Sequence, residues 1–258
     1  MSAPIVSITS LKDIKKIGFI VPSSNAALEI VTMAILAQLP LVSMHCSRVS
    51  VTTTDLSAGA ARQFSAETLL QCAELLSHSP VETILWNGTS ESWTGEGYAA
   101  GRHIRGLIET ATGLPASTSS LAQVEVLQLW GIQKIALATP YGAEPTRRLG
   151  AYYRSVGFEV VGEARLDLTV NTIIAETSVD RMRRLIRDAD HPDAQCIVLP
   201  CTNLPAALLV EEMERELGKP VFDSVIVTLW KALRLIGVET PIHGWGQLLR
   251  SRSRRGTS

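Results

Sequence analysis

The feature that most constrains the fold of this chain is a regular alternation of short apolar runs with amphipathic helical segments. Residues 16–21 form an apolar run that predicts a strand, and residues 26–39 follow as a helix with one apolar face. Similar pairs recur along the chain as far as residue 235. This alternation is typical of α/β proteins, in which helices flank parallel sheets.

The alternation runs through two rounds of similar order and length, without a detectable sequence repeat. Further strands are predicted at residues 41–51, 81–86, 134–139, 159–161, 196–199 and 220–222, and further helices at residues 60–76, 101–110, 120–129, 144–156, 180–188 and 225–235. We therefore predict two Rossmann-like α/β halves, each with a parallel sheet flanked by helices. The first spans residues 1–118, with residues 224–258 packing back on it, and the second spans residues 119–223.

Composition excludes several classes of function. The 258 residues can bury a sizeable core, and a net charge of −1 gives no electrostatic basis for binding nucleic acid. The four cysteines show no CxxC or zinc-ligand spacing, so we expect free thiols, no metal site and a reducing cytoplasm. No apolar run is long enough to cross a bilayer, and residues 1–10 lack the form of a secretion signal.

Cys201 is the candidate catalytic residue. It follows the predicted strand at residues 196–199 and precedes a helical pattern in which Leu204, Leu208, Val210 and Met213 share one side. Unpaired N–H groups at a helix amino terminus favour negative charge and lower the pKa of a nearby thiol. We therefore expect Cys201 to be a better proton donor or nucleophile than a free cysteine.

Other small or polar residues follow the remaining strands. Gly88, Thr89 and Ser90 come after the strand at residues 81–86, just as Cys201 and Thr202 come after the strand at residues 196–199 in the second half. Pro22 and Asn25 follow the first strand, and Tyr141 follows the strand at residues 134–139. Ligands of such sheets bind beyond the carboxyl ends of the strands, so we predict a site in the cleft between the halves. Trp86 and Trp93 flank the Gly88 loop; packing is the preferred prediction for both, and lining of the pocket is the alternative.

Several short segments resemble the aspartate/glutamate racemase superfamily, which includes hydantoin racemases, maleate isomerases and arylmalonate decarboxylases. Residues 20–25 (IVPSSN) resemble the first loop of the maleate isomerases. Residues 87–90 (NGTS), 138–141 (ATPY) and 244–248 (GWGQL) are more similar to arylmalonate decarboxylase. The racemases use two cysteines, one per half, because inversion needs a base on one face and an acid on the other. Here the first of these positions is Gly88, an asymmetry that the arylmalonate decarboxylases share.

The resemblance implies a role for each site residue. The hydroxyls of Thr89, Ser90 and Tyr141, with backbone N–H groups near Cys201 and Thr202, would hold one carboxylate and the enediolate that grows from it. The second carboxylate would lie in an apolar pocket and leave as carbon dioxide. Cys201 would then protonate one face of the intermediate. The resemblance implies no cofactor.

Three residues suggest that the substrate is more polar than an arylmalonate. Glu91 stands where the decarboxylases carry an apolar pocket residue, and it either enters the cleft, points away or pairs with Arg48 or Arg102. Asn25 matches a position that contacts a substrate carboxylate in the maleate isomerases, and Asn171 is a candidate for a second such contact.

The predicted activity is decarboxylation of a substituted malonate-like diacid. One alternative is a maleate isomerase or an amino-acid or hydantoin racemase that works with one cysteine; another is a non-catalytic protein that binds small diacids. The expected partner is a small carboxylic acid, and a homo-oligomer stays open. If Gly88 faces Cys201, Gly88→Cys is expected to create racemase activity.

Overall fold

The computed structural model describes residues 10–51, 66–94 and 97–251, and within them it contains two parallel four-stranded sheets. The first sheet has the strand order β2-β1-β3-β4 and the second has the order β6-β5-β7-β8. The strands are β1 Lys15–Pro22, β2 Val42–Val49, β3 Thr83–Trp86, β4 Ala116–Thr118, β5 Lys134–Thr139, β6 Glu159–Arg165, β7 Cys196–Leu199 and β8 Val221–Asp223. The two sheets thus share one topology, and the predicted α/β fold with two similar halves is confirmed.

Helices connect the strands in every crossover that the structure describes. They are α1 Leu28–Leu36, α2 Ala66–Ser77, α3 Glu91–Thr94, α4 Gly97–Thr112, α5 Ser119–Leu129, α6 Ala143–Ser155, α7 Asn171–Ala175, α8 Val179–Ala189, α9 Val210–Leu217, α10 Ser224–Leu235 and α11 Gln247–Arg250. Strand β4 and the short helices α3, α7 and α11 were not predicted, because three to five residues are too few to show a period. The predicted start of the helix at residues 60–76 lies outside the described residues.

Burial patterns explain why these segments form these elements. Strands β3 and β7 are wholly buried and, apart from Thr83, apolar, as expected of central strands covered on both faces. Helix α8 is amphipathic and buries Met182, Leu185, Ile186 and Ala189 along one side. Each large apolar side chain buried in this way contributes about 1.5–3 kcal/mol to folding.

The topology of each sheet creates a crevice at the carboxyl ends of its two central strands. From β1 the chain crosses to β2 on one side and then returns to β3 on the other; β5, β6 and β7 repeat this path. The loops that follow β1 and β3 lead to opposite edges of the sheet and therefore separate from one another, and so do the loops that follow β5 and β7. Ligands bind in the gap between two such loops. The loops after β1, β3, β5 and β7 are those that carry the predicted site residues.

Helices α5 and α10 occupy corresponding places, since each directly follows the fourth strand of its sheet, and they pack against one another. Helix α10 also contacts β3 and β4 of the first sheet and helix α1. Residues 252–258 lie outside the described part of the chain, and the packing of residues 224–258 on the first half stays a prediction. The division at residues 118 and 223 stays a prediction.

The segment after Cys201 differs from the predicted helix. The chain first forms a 3-10 turn at Pro205–Leu209, and α9 begins only at Val210. A 3-10 turn has three residues per turn, so it shifts the side chains that follow relative to an α-helix. Leu208 was predicted to share one side with Leu204, Val210 and Met213, but it is 56% exposed whereas those three are buried.

Asp223 gives the protein a specific dependence of stability on pH. Its Oδ1 accepts hydrogen bonds from the N–H groups of Val225 (2.9 Å) and Ile226 (3.1 Å) at the start of α10, while Oδ2 is buried without a partner among the described residues. Burial raises the pKa of this carboxyl to about 7.

Between the ordinary pKa of Asp and pH 7, the folded state therefore holds a proton that the unfolded state has released. Stability must then fall as pH rises through this window, by up to about 1.4 kcal/mol per pH unit. We expect the free energy of unfolding of the wild type, minus that of Asp223→Asn, to decrease between pH 5 and pH 8. Urea titrations at several pH values measure this difference, and a constant difference would contradict a protonated Asp223.

Candidate active site

The loops after β1, β3, β5 and β7 surround one cavity with about 350 Å³ of atom-free space, part of it open to solvent. The predicted site residues on its wall are Pro22, Asn25, Gly88, Thr89, Ser90, Tyr141, Asn171, Cys201 and Thr202. Val51, Trp86, Trp93 and Asn203 also line it. The structure thus brings together all the predicted site residues except Glu91.

Two threonines tie the halves together by reciprocal hydrogen bonds. Thr89 Oγ1 donates to the carbonyl oxygen of Pro200 at 3.1 Å, and Thr202 Oγ1 donates to the carbonyl oxygen of Asn87 at 3.4 Å. Each threonine therefore reaches across to the residue two positions before the other. This exchange indicates that the two loops are related by an approximate two-fold axis.

Two serines show the same correspondence at the ends of the strands that precede these loops. Ser119 Oγ donates to the last carbonyl of β3 at 3.5 Å, and Ser224 Oγ donates to the last carbonyl of β7 at 2.9 Å. Residues 86–89 are thus the structural counterpart of residues 199–202. Gly88 therefore occupies the position in the first half that Cys201 has in the second.

Cys201 is buried at the cavity wall, and its ionisation differs from the expectation. Burial raises the pKa of its thiol; the Tyr141 hydroxyl and the N–H groups of Asn203 and Leu204 lower it, but less. The predicted net lowering of the pKa is therefore wrong, because desolvation opposes the thiolate more than these donors favour it. Cys201 is protonated at neutral pH, which suits a proton donor.

Tyr141 is buried between the two halves. Its hydroxyl faces both the Cys201 thiol and Thr89, and burial raises its pKa well above the ordinary value. Its ring packs against Trp93 with 5.6 Å between centroids. Tyr141 thus presents a neutral O–H group, a hydrogen-bond donor, next to the thiol.

Asn25 makes hydrogen bonds both to its own helix and to the second half. Its Oδ1 accepts hydrogen bonds from the N–H groups of Ala27 (3.1 Å) and Leu28 (2.9 Å), so it supports the start of α1. Its Nδ2 donates to Thr202 Oγ1 at 3.2 Å across the cavity wall. This amide is therefore fixed in place beside the Cys201 loop.

Asn171 and Asn203 form a second polar link between the halves. Asn171 Nδ2 donates to Ser24 Oγ at 2.8 Å, and Asn203 Nδ2 donates to the carbonyl oxygen of Asn171 at 2.6 Å. Asn203 Oδ1 also accepts from the N–H group of Ala26 at 2.9 Å. Sequence reasoning missed Asn203, although its place two residues after Cys201 was a usable signal.

Glu91 does not contact the cavity, so its prediction as a substrate-binding residue is corrected. It is buried behind the wall, where Trp86 Nε1 donates to its Oε2 at 3.2 Å. It pairs with neither expected arginine, since Arg48 bonds to Glu29 and the Arg102 guanidinium lies over the ring of Tyr98. Trp86 and Trp93, for which packing was the preferred prediction and pocket lining the alternative, both line the cavity.

Within residues 10–51, 66–94 and 97–251, no group of three or more His, Cys, Asp or Glu side chains is arranged to hold a metal ion. No helix in this part of the chain combines the length and apolar character needed to span a membrane.

The sequence pattern of the arylmalonate decarboxylase family matches residues 17–249. The chain belongs to this family. It is 29% identical to the arylmalonate decarboxylase of Bordetella bronchiseptica, over 90% of this chain and 95% of that one. It is 28% identical to the maleate isomerase of Nocardia farcinica, over 93% of this chain and 97% of that one. The resemblance to the racemase superfamily is thus confirmed for both branches.

Solved structures of both branches share the fold. A Nocardia farcinica maleate cis-trans isomerase mutant with a covalently bound succinylcysteine intermediate matches with a TM-score of 0.83 and 26% identity, covering 92% of this chain and 98% of that one. A crystal structure of arylmalonate decarboxylase matches with a TM-score of 0.72 and 27% identity, covering 91% and 98%. Both relatives are enzymes, which indicates that this chain is one too.

Proposed function

We propose that this protein is a cofactor-independent decarboxylase of a substituted malonate-like diacid. The observation that carries the proposal is the pairing of Cys201 with Gly88 at corresponding positions of the two halves. A site with a thiol on one side and glycine on the other can protonate one face of a carbanion but cannot exchange protons between two faces.

The residues around the cavity support the individual steps. The N–H groups of Asn203 and Leu204 and the hydroxyl of Tyr141 point to the Cys201 sulfur, and the hydroxyls of Thr89, Ser90 and Thr202 surround the same space. On substrate binding, the hydroxyls of Thr89 and Thr202 would turn from the carbonyl oxygens of Pro200 and Asn87 to one substrate carboxylate. Together with the other donors they would stabilise the enediolate that forms from it.

The reaction balances with the residues that are present. The bond between the α-carbon and the second carboxylate breaks, carbon dioxide leaves, and the electron pair stays on the α-carbon as the enediolate. The Cys201 thiol gives its proton to that carbon, and the thiolate regains a proton from solvent. Trp86, Trp93 and Val51 form an apolar part of the wall, where loss of hydration would favour departure of the second carboxylate.

The polar groups on the wall favour a substrate with a polar side group. Asn25 and Asn171 both line the cavity, and their amides are held by hydrogen bonds to Thr202 and Ser24. We expect the enzyme to work in the cytoplasm, because all four cysteines are free thiols.

A second candidate is a maleate isomerase or racemase that works with one cysteine. The relatives named maleate isomerase, which match over nearly the whole chain, favour it. A third candidate is a diacid-binding protein without turnover, and the tightly hydrogen-bonded cavity wall is compatible with it.

Proton NMR in heavy water separates these functions in one experiment. The protein is incubated with substituted malonates, maleate and a hydantoin. A mono-acid with a single α-deuterium is the expected product. Fumarate from maleate, or α-deuteration without loss of a carboxyl group, would support the isomerase or racemase instead, and binding of diacids without turnover would support the binding protein.

A further inference from the structure

The indole of Trp86 fills the space into which a first-half thiol would project. A Cβ atom added at Gly88 would lie 2.8 Å from Cη2 and 2.5 Å from Cε2 of this ring, and closer still to Cζ2. Real Cβ atoms do not approach ring carbons this closely, so the ring and a side chain at position 88 exclude one another. Trp86 is fully buried and lines the cavity.

Glu91 holds this ring from behind the wall. Its Oε2 accepts the hydrogen bond from Trp86 Nε1 at 3.2 Å. The hydroxyls of Thr118 and Ser120 face the same carboxyl. The carboxyl therefore contacts the indole and two hydroxyls and does not line the cavity.

We propose that Trp86, positioned by Glu91, replaces the missing first-half thiol as the wall opposite Cys201 and shields the reacting carbon from protonation on that face. Glu91 is on this view a positioning residue that determines the stereochemical purity of the product. The proposal rests on the proposed decarboxylation. It also means that Gly88→Cys alone does not provide a second working thiol, contrary to the expectation from the sequence.

The ionisation of Glu91 fits this arrangement. Burial raises the pKa of its carboxyl, and the hydroxyls of Thr118 and Ser120 and the indole N–H oppose this shift only in part. The carboxyl can accept from the indole through one oxygen and face the two hydroxyls with the other. Glutamine has the same shape and an oxygen acceptor, whereas leucine has no acceptor.

A thermal double-mutant cycle tests the placement of the ring without any substrate. Gly88→Cys is expected to lower Tm by roughly 5 °C because it overpacks the wall. In the Trp86→Leu background the same substitution should have little effect on Tm, since the ring is gone. Trp93→Leu is the matched control, a second cavity-lining tryptophan, and it should not relieve the effect of Gly88→Cys. Equal effects of Gly88→Cys in all three backgrounds would overturn the proposal.

The enantiomeric excess of the product tests the shielding. It is measured by chiral chromatography of the mono-acid that forms from a prochiral substituted malonate. Trp86→Leu and Glu91→Leu should lower it by admitting water to the face opposite Cys201, and Glu91→Gln should preserve it. A merely structural role of Glu91 would change Tm and leave the enantiomeric excess unchanged, which would overturn the proposal. If the wild type releases no carbon dioxide, the proposed function fails, and the thermal cycle still decides where the ring lies.

Discussion

Replacing Cys201 with alanine is expected to reduce kcat for decarboxylation by a factor of about 10³–10⁴, the upper part of the range for loss of a general acid. The thiol is the proton donor whose position at the cavity wall and ionisation both suit the step. Buried and protonated at neutral pH, it can give its proton to the enediolate without a prior proton transfer. Steady-state kinetics by carbon dioxide release measure the loss.

The pH dependence of kcat provides an independent check on the same residue. Because burial raises the pKa of Cys201, the thiol should stay protonated through the neutral range and lose its proton only above the ordinary thiol pKa. We expect kcat to be constant through neutral pH and to fall on the alkaline side. A rate that rises with thiolate formation would instead indicate that Cys201 acts as a base or nucleophile, as in the isomerase alternative.

Cys196 is a matched control for this substitution. It lies at the start of β7, five residues before Cys201, and is a buried free thiol away from the cavity. Cys196→Ala should lower stability modestly and leave kcat near that of the wild type. A similar loss of kcat in both variants would show that the effect comes from the packing of the strand. If the wild type shows no turnover, and it binds diacids as tightly as Cys201→Ala does, the result would favour the binding protein.

The sequence predicted those features that depend on local patterns. The loops carrying Asn25, Thr89, Tyr141 and Cys201 were placed correctly at one cavity, because each follows a strand whose apolar run is easily recognised. The correspondence of Gly88 with Cys201 could also be read from the two similar stretches. The threonine and serine hydrogen bonds then gave it a geometric basis.

Features that depend on three-dimensional packing were missed. The sequence gives no sign that the Trp86 ring turns back over Gly88, or that Glu91 points away from the cavity to meet it. The pKa of Cys201 was predicted in the wrong direction because the helix expected beside it begins only after a 3-10 turn, while its burial could not be known. Desolvation is a property of the whole fold, and no local motif reports it.

Tyr141→Phe is expected to reduce kcat by a factor of about 10²–10³, the usual cost of losing one donor to a developing oxyanion. The hydroxyl is buried, neutral and directed to both Cys201 and Thr89, so no solvent molecule can take its place without a rearrangement of the wall. The ring itself, packed against Trp93, is preserved in phenylalanine. The loss should therefore appear in kcat while the fold and its stability change little.

The same substitution should also shift the ionisation of Cys201 in a defined direction. The Tyr141 hydroxyl lowers the pKa of the thiol by hydrogen bonding to its charged form, so its removal must raise that pKa further. The alkaline limb of the rate profile should accordingly move to higher pH in Tyr141→Phe, and absorbance of the thiolate at alkaline pH gives a direct measurement.

Tyr152→Phe is the matched control, because Tyr152 is equally buried but donates to the carbonyl of Ser120 at 3.4 Å, away from the cavity. It should leave both kcat and the alkaline limb unchanged. A Tyr141→Phe enzyme with wild-type kcat would show that other donors hold the enediolate. The donors of the Cys201 loop would then be the first candidates to test by mutation. A reduced kcat with an unmoved alkaline limb would place Tyr141 on the substrate oxygen rather than on the thiol.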